Sequence, residues 1–266
     1  MLRRGERRTG ESAWVVHYAV MSFKDHFSTQ AAVYAKARPL YPPALFAELA
    51  GLAPGRKLAW DCGAGNGQAS VGLAEHFERV VATEPSAAQL AEATVNPRVS
   101  YHQSAETAPM LADSSADLVT AAQAAHWFDL NIFYPVVRRV LRPGGLLAIW
   151  NYGLCTIDSQ VDAVVGHFYT VTIGPYWPPE RRHAETAYRL LEFPFPEIPF
   201  PKLNIEVEWE AAEFATYLHT WSAVTRYTKA HGDDPVTAVM PELARAWGPG
   251  RRRIVWPLGG RLGRVG

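Results

Sequence analysis

The chain has 266 residues, of which 48% are hydrophobic and 20% charged, so it can bury a sizeable core and is not disordered throughout. Its 26 basic residues balance its 26 acidic ones, so the surface as a whole has no excess of positive charge with which to bind nucleic acid. Two cysteines, Cys62 and Cys155, exclude a disulfide scaffold and a zinc site built on cysteines. No apolar run reaches the roughly 20 residues of a membrane-spanning helix. We expect a soluble, cytoplasmic protein with no nucleic-acid partner, no membrane partner and no metal site.

The first half of the chain alternates helical and strand-like segments. Helical spacing predicts helices over 42–51 and 68–77, another opened by the capping pair Ser86 and Gln89, and one that ends at Leu141 and begins between 129 and 135. Short apolar runs predict strands at 58–60, 80–83, 99–102, 117–121 and 146–150. This alternation predicts a parallel sheet covered on both faces, with the carboxyl ends of the strands and a ligand crevice at one edge.

After Tyr152 the pattern changes. Residues 175–201 contain seven prolines, which we interpret as an irregular lid. Residues 203–210 then alternate apolar and polar side chains, as in a half-exposed strand, and a last strand is predicted at 253–258. We divide the chain into an extension (1–20), a cofactor-binding core (21–155), a lid and acceptor insertion (156–202), and a segment that completes the sheet and the acceptor side (203–266).

Residues 1–20 leave two interpretations open. They begin with several arginines but lack the long apolar run and small-residue cleavage site of a secretory signal. They are interpreted either as an extension upstream of a start at Met21 or as a helix packed on the body of the protein.

A glycine-rich turn between the first strand and its helix predicts a close approach of backbone to ligand. The glycines of Asp61-x-Gly63-x-Gly65-x-Gly67 do not fit the 0, 2, 5 spacing of the dinucleotide fingerprint, and the Gly-Lys-Ser/Thr of a phosphate-binding P-loop is absent. Glu84 ends the second strand, 21 positions after Gly63, where a carboxylate can receive two ribose hydroxyls. The loop therefore predicts a nucleoside ligand. A purely structural interpretation stays open for both features: the glycines form tight turns, and Asp61 caps the helix or bonds to the loop.

The runs LAWDCGAGNGQ and VVATEPS resemble the first two motifs of class I S-adenosylmethionine-dependent methyltransferases. Further similar runs follow in order: SAE at 104–106, ADLVTAAQAAHWFD around the fourth strand, and VLRPGGLLAIWNYG into the fifth. The segment FSTQAAVYAKARPLYP is similar to the small-molecule branch that includes trans-aconitate methyltransferases. The resemblance implies an α/β, doubly wound fold with a mostly parallel seven-stranded, Rossmann-like sheet, here with the proline-rich lid, and S-adenosylmethionine as the cofactor.

The resemblance also implies roles for individual residues. Asp61 helps to hold the amino group of the cofactor, Glu84 takes the ribose hydroxyls, and Arg38 meets the methionine carboxylate. Many relatives carry Asp where Ser104 stands, so the adenine contact here falls to backbone or to Glu106. The full set implied to bind cofactor is Tyr34, Arg38, Asp61, Gly63, Ala64, Gly65, Glu84, Pro85, Ser104, Ala105, Glu106 and Gln123.

The acceptor of the methyl group is expected beside the ends of the fourth and fifth strands, where Gln123, His126, Trp127, Asn151 and Tyr152 lie. The chain lacks the Asn/Asp-Pro-Pro-Tyr/Phe run of enzymes that methylate amino groups, so we expect a small organic acceptor modified at oxygen or carboxylate. His126 is the candidate general base, and a histidine merely hydrogen-bonded beneath the cofactor is the alternative. A non-catalytic module that binds a nucleoside or S-adenosylmethionine is the second functional hypothesis.

Overall fold

The computed structural model describes residues 37–266, so Tyr34 and the predicted extension at 1–20 lie outside the described residues. The helices are α1 (Pro43–Leu52), α2 (Gln68–Ala74), α3 (Ala87–Ala91), α4 (Leu130–Val140), α5 (Ser159–His167), α6 (Arg181–Glu185), α7 (Ala211–His219), α8 (Ser222–His231) and α9 (Pro235–Trp247). The strands are β1 (Leu58–Cys62), β2 (Arg79–Glu84), β3 (Val99–Gln103), β4 (Ala116–Ala122), β5 (Leu141–Tyr152), β6 (Glu197–Ile198), β7 (Asn204–Trp209) and β8 (Arg252–Arg264). In this part of the chain no helix is long and apolar enough to cross a membrane.

The strands form one sheet in the order β3-β2-β1-β4-β5-β8-β6, with β7 paired to the first half of β8. The first five strands in this order are parallel to one another, and β8 runs antiparallel to β5. The strand order reverses between β1 and β4, which opens a crevice at the carboxyl ends of these strands. The predicted α/β, doubly wound and mostly parallel fold is confirmed, with eight strands in the described residues instead of seven.

The central strands are buried on both faces, so their sequences are apolar runs instead of alternating patterns. Along β4, Leu118 packs into a core with α1, α2 and the C-terminal helices, while Val119 packs into a second core with α4. Strand β7 differs because only one of its faces is covered, so its apolar and acidic side chains alternate. It pairs with β8, where Arg253 forms an ion pair with Glu206.

Three boundary predictions are corrected. The strand predicted at 146–150 extends from Leu141 to Tyr152 and includes the Arg-Pro-Gly-Gly run at 142–145, because the chain passes directly from α4 into the strand. The final strand extends to Arg264 because it pairs with both β7 and β5. The proline-rich segment is not wholly irregular: α6 fits between Pro179 and Pro194, where no proline interrupts the backbone hydrogen bonds, and β6 adds two residues to the edge of the sheet.

Candidate active site

The glycine loop between β1 and α2 requires left-handed backbone at three positions. Gly63, Gly65 and Gly67 have φ of +68°, +58° and +85°. A Cβ at Gly63 would meet Ala124 Cβ at 2.6 Å, and one at Gly67 would meet the Tyr101 hydroxyl at 2.1 Å. At Gly65 the nearest contact of a Cβ would be the Gln89 side chain at 3.8 Å, so residues 37–266 leave open space over this position. Gly63 and Gly67 are therefore explained by turn geometry and packing, and Gly65 is the position where a ligand can approach the backbone.

Glu84 ends β2 directly beside this loop. Its carboxylate accepts hydrogen bonds from the backbone N–H of Gly65 at 3.0 Å and of Ser86 at 2.9 Å. The side chain is only 7% exposed. The carboxylate therefore fixes the glycine loop against the start of α3. Ser86 caps α3 through the Gln89 N–H, as the sequence predicts.

Asp61, at the end of β1, lies beneath the loop and is fully buried. Its two oxygens accept hydrogen bonds from the hydroxyls of Ser70 (2.6 Å) and Thr120 (2.7 Å). Burial raises the pKa of this carboxyl to about 6, although both hydroxyls act in the opposite direction. The structure therefore gives Asp61 a supporting position that joins β1, α2 and β4, with no exposed oxygen for the direct contact that the resemblance implies.

The segment after β3 contacts the end of β2, beside the glycine loop. Ser104 Oγ donates to the Thr107 carbonyl oxygen at 3.0 Å, and its backbone N–H donates to the Glu84 carbonyl. Glu106 accepts the backbone N–H of Asp129, the cap of α4, at 3.0 Å. Ser104 and Glu106 are both occupied with local hydrogen bonds, so the exposed Ala105 between them offers backbone and apolar surface to a neighbouring ring.

A cavity opens beyond the ends of β4 and β5, on the side of the C-terminal helices. Five of its eleven described lining residues are aromatic, and two arginines and a histidine also line it. It is lined by Arg38, Gln123, His126, Trp127, Tyr152, Trp177, Pro178, Arg181, Tyr217, Trp221 and Ser222. Asn151, predicted to line this position, is buried and is not among the described lining residues.

Arg38 connects the cavity to the glycine loop. Its guanidinium donates to the Tyr152 hydroxyl at 3.0 Å and to the Thr220 carbonyl at 3.3 Å. The next residue, Pro39, accepts a hydrogen bond from Gln68, the first residue of α2 after the glycine loop. The cavity and the open space over the loop are thus neighbours. Arg38 stands on the cavity wall, whereas the resemblance implies a contact with the methionine carboxylate.

His126 lies in the short 3₁₀ turn that follows β4. Gln123, just before it, has φ of +56° and donates to the Tyr152 carbonyl, which turns the chain toward the cavity. Burial, assisted by Arg181 and His183, lowers the pKa of His126 to about 3. His126 is therefore neutral near pH 7 but a far weaker base than an ordinary histidine, which disfavours the general-base role.

The comparisons with known proteins agree on one family. Residues 60–149 match the family model described as a methyltransferase domain. A Dictyostelium discoideum protein described as a methyltransferase is 35% identical over 229 residues, which cover 85% of this chain and 87% of that protein. The chain belongs to the class I S-adenosylmethionine-dependent methyltransferases.

Other relatives of this methyltransferase support the same assignment. A solved structure from Anaeromyxobacter dehalogenans, described as a type II methyltransferase, is 48% identical, covers 85% of this chain and 97% of its own, and superposes with a TM-score of 0.81. An uncharacterized methyltransferase of Mycobacterium tuberculosis is 40% identical over 128 residues, which are 47% of this chain and 51% of that one.

Sequence reasoning missed part of the methyltransferase's cavity. Arg181, at the start of α6, stacks on Trp177 with its guanidinium carbon 4.8 Å from the ring centroid. Its Nε donates to the Tyr169 hydroxyl at 3.0 Å. It follows a proline-rich run with no recognisable motif, so no pattern in the sequence marks it as a site residue.

Proposed function

We propose that the chain binds S-adenosylmethionine over the glycine loop and transfers its methyl group to a small organic acceptor that carries a carboxylate. Gly65 and Glu84 would hold the nucleoside side of the cofactor, and the aromatic cavity would hold the acceptor. Membership of the branch that includes trans-aconitate methyltransferases stays a prediction.

The observation that carries this proposal is the charge of the cavity wall. Arg38 and Arg181 line it, and none of its described lining residues is acidic. Two guanidinium groups among aromatic rings favour an anionic acceptor with an apolar body. They disfavour an amine, which would be protonated at neutral pH and repelled.

The chemistry fits the weak basicity of His126. In methyl transfer to a carboxylate, an oxygen lone pair forms the new O–CH₃ bond while the S–CH₃ electron pair returns to sulfur. The products are a methyl ester and a neutral thioether, and no proton is released. A hydroxyl or amine acceptor must lose a proton, and a histidine with a pKa of about 3 is poorly matched to remove it. The protein's task is then to align the two reactants and exclude water.

A screen with methyl-labelled S-adenosylmethionine tests this proposal. Aromatic and aliphatic carboxylic acids are compared with their primary amides, which keep the shape and lose the charge. We expect labelled ester from acids and none from amides. Arg181→Met should reduce ester formation at low acid concentration, whereas Arg182→Met, on the exposed side of α6, should not.

Calorimetric titration with S-adenosylhomocysteine distinguishes the second hypothesis. Binding of the nucleoside without methylation of any acid would favour a non-catalytic module. Product from amines in place of acids would refute the carboxylate proposal but not the methyltransferase assignment.

A further inference from the structure

A buried tyrosine contacts His126 on the side away from the cavity. The hydroxyl of Tyr188, which is fully buried, lies 3.0 Å from His126 Nδ1. Ala187 and Tyr188 both have left-handed backbone, with φ of +51° and +63°. Such a conformation is costly for residues with a side chain, and it persists only where the surroundings enforce it. Gly259 of β8 makes room for this turn, because a Cβ there would lie 2.6 Å from Ala187 Cβ.

The surroundings of Tyr188 decide which partner holds the shared proton. Burial raises the pKa of Tyr188 well above its ordinary value, so the hydroxyl is protonated. Among residues 37–266 the contact with Nδ1 is the one hydrogen bond that the Tyr188 hydroxyl makes. A buried hydroxyl proton without an acceptor is costly, and Nδ1 is the acceptor within reach. The hydroxyl therefore donates its own proton to Nδ1.

A neutral imidazole that accepts at Nδ1 carries its proton on Nε2. His126 lines the cavity, and in the described part of the chain no group bonds to Nε2. The Nε2–H group is therefore available to the cavity. The same cavity wall carries Arg38 and Arg181, so a third donor at this place extends a site for an anion.

We propose that Tyr188 is a positioning residue that fixes the Nε2–H tautomer of His126, so that His126 donates a hydrogen bond to the carboxylate of the acceptor. This inference rests on the proposed function. It reverses the role expected for His126: the imidazole holds an oxygen of the acceptor and removes no proton from it. The bond also orients the carboxylate, whose other oxygen is then directed to the methyl group.

Nitrogen NMR of the full chain labelled with ¹⁵N-histidine tests the tautomer without any turnover. His126→Gln identifies the His126 signals by their loss. We expect a protonated Nε2 and an unprotonated Nδ1 in the wild type, unchanged from pH 5 to pH 8. Tyr188→Phe should give a mixture of tautomers. Tyr134→Phe is the matched control, because Tyr134 is a buried residue of α4 whose hydroxyl donates to the Glu192 carbonyl and not to a histidine. A proton on Nδ1 in the wild type, or an unchanged tautomer in Tyr188→Phe, would overturn the proposal; if Tyr188→Phe does not fold, the wild-type tautomer alone decides.

A kinetic measurement tests the donor role once the screen above has provided a carboxylic acid substrate. Glutamine at position 126 keeps an N–H donor and has no basic nitrogen. His126→Gln should therefore retain most of the turnover, and His126→Ala should lose about tenfold or more, as expected for a hydrogen bond to a charged group. Equal loss in both variants would contradict the donor role. If no acid is methylated, the proposed function fails, while the NMR experiment still reports on the tautomer.

Discussion

Replacing Asp61 with asparagine should stabilise the folded protein at neutral pH, and the effect can be worked from the structure. The carboxyl is fully buried, and burial raises its pKa from 3.8 to about 6. The folded state thus binds the proton more tightly than the unfolded state, so stability falls as pH rises from about 4 to 6. At about 1.4 kcal/mol per pH unit, the ionised carboxylate costs up to about 3 kcal/mol above pH 6.

Asparagine removes this cost because it is neutral at every pH and has nearly the same shape. The hydroxyls of Ser70 and Thr120 can rotate, so one donates to the amide oxygen and the other accepts from the amide nitrogen. We expect Asp61→Asn to gain about 1–3 kcal/mol in the free energy of unfolding at pH 8, and to lose most of that gain at pH 4. Urea unfolding at the two pH values measures both quantities.

Asp117 provides a control of opposite sign. It is equally buried, but its Oδ2 accepts the backbone N–H groups of Lys57 and Leu58, and Arg142 lies 3.0 Å from its Oδ1 as an ion pair outside hydrogen-bond geometry. Asp117→Asn leaves the arginine without its counter-charge and should lower stability by about 1–3 kcal/mol. If Asp61→Asn is also less stable at pH 8, or its effect does not change between pH 4 and pH 8, the desolvation argument is wrong. If Asp61 serves the cofactor amino group through its charge, the more stable variant will bind S-adenosylhomocysteine less tightly.

The other predictions concern the cofactor loop and the pH profile. Gly65→Val should lower the free energy of unfolding, because valine is strained at the left-handed φ of +58°, and should lose cofactor binding in calorimetry, because its side chain fills the space over the loop. Unchanged affinity in the folded variant would exclude this position from the site. Glu84→Ala should weaken cofactor binding by about 1.5–3 kcal/mol and also lower the unfolding free energy, since two backbone N–H groups lose their acceptor; a loss of affinity below about 0.5 kcal/mol would place the ribose elsewhere. The pH profile of turnover should show no inflection near pH 6.5 from His126, because its lowered pKa keeps the imidazole neutral. An inflection near pH 6.5 that disappears in His126→Gln would contradict this prediction.

Local patterns were sufficient to predict the cofactor half of the protein. The strand, glycine turn and helix around Gly63 depend on residues close together in the chain, so spacing alone located them. Glu84 was recognisable because it ends the next strand, and parallel strands bring their carboxyl ends to one edge. The alternation of β7 followed from the same short-range rules, whereas the order of the strands in the sheet is known only from the structure.

The acceptor half required the tertiary structure. Arg38, Arg181 and Tyr217 come from distant parts of the chain and meet only because the helices after β5 fold back over the sheet. Asp61 and His126 were both identified from the sequence, but their chemistry was not, since pKa shifts arise from burial and from neighbours that spacing does not reveal. The sequence by itself determined the fold, the family and the position of the glycine loop. Packing across the chain decided the charge of the cavity and the protonation of its histidine, because both depend on long-range contacts and on exclusion of water.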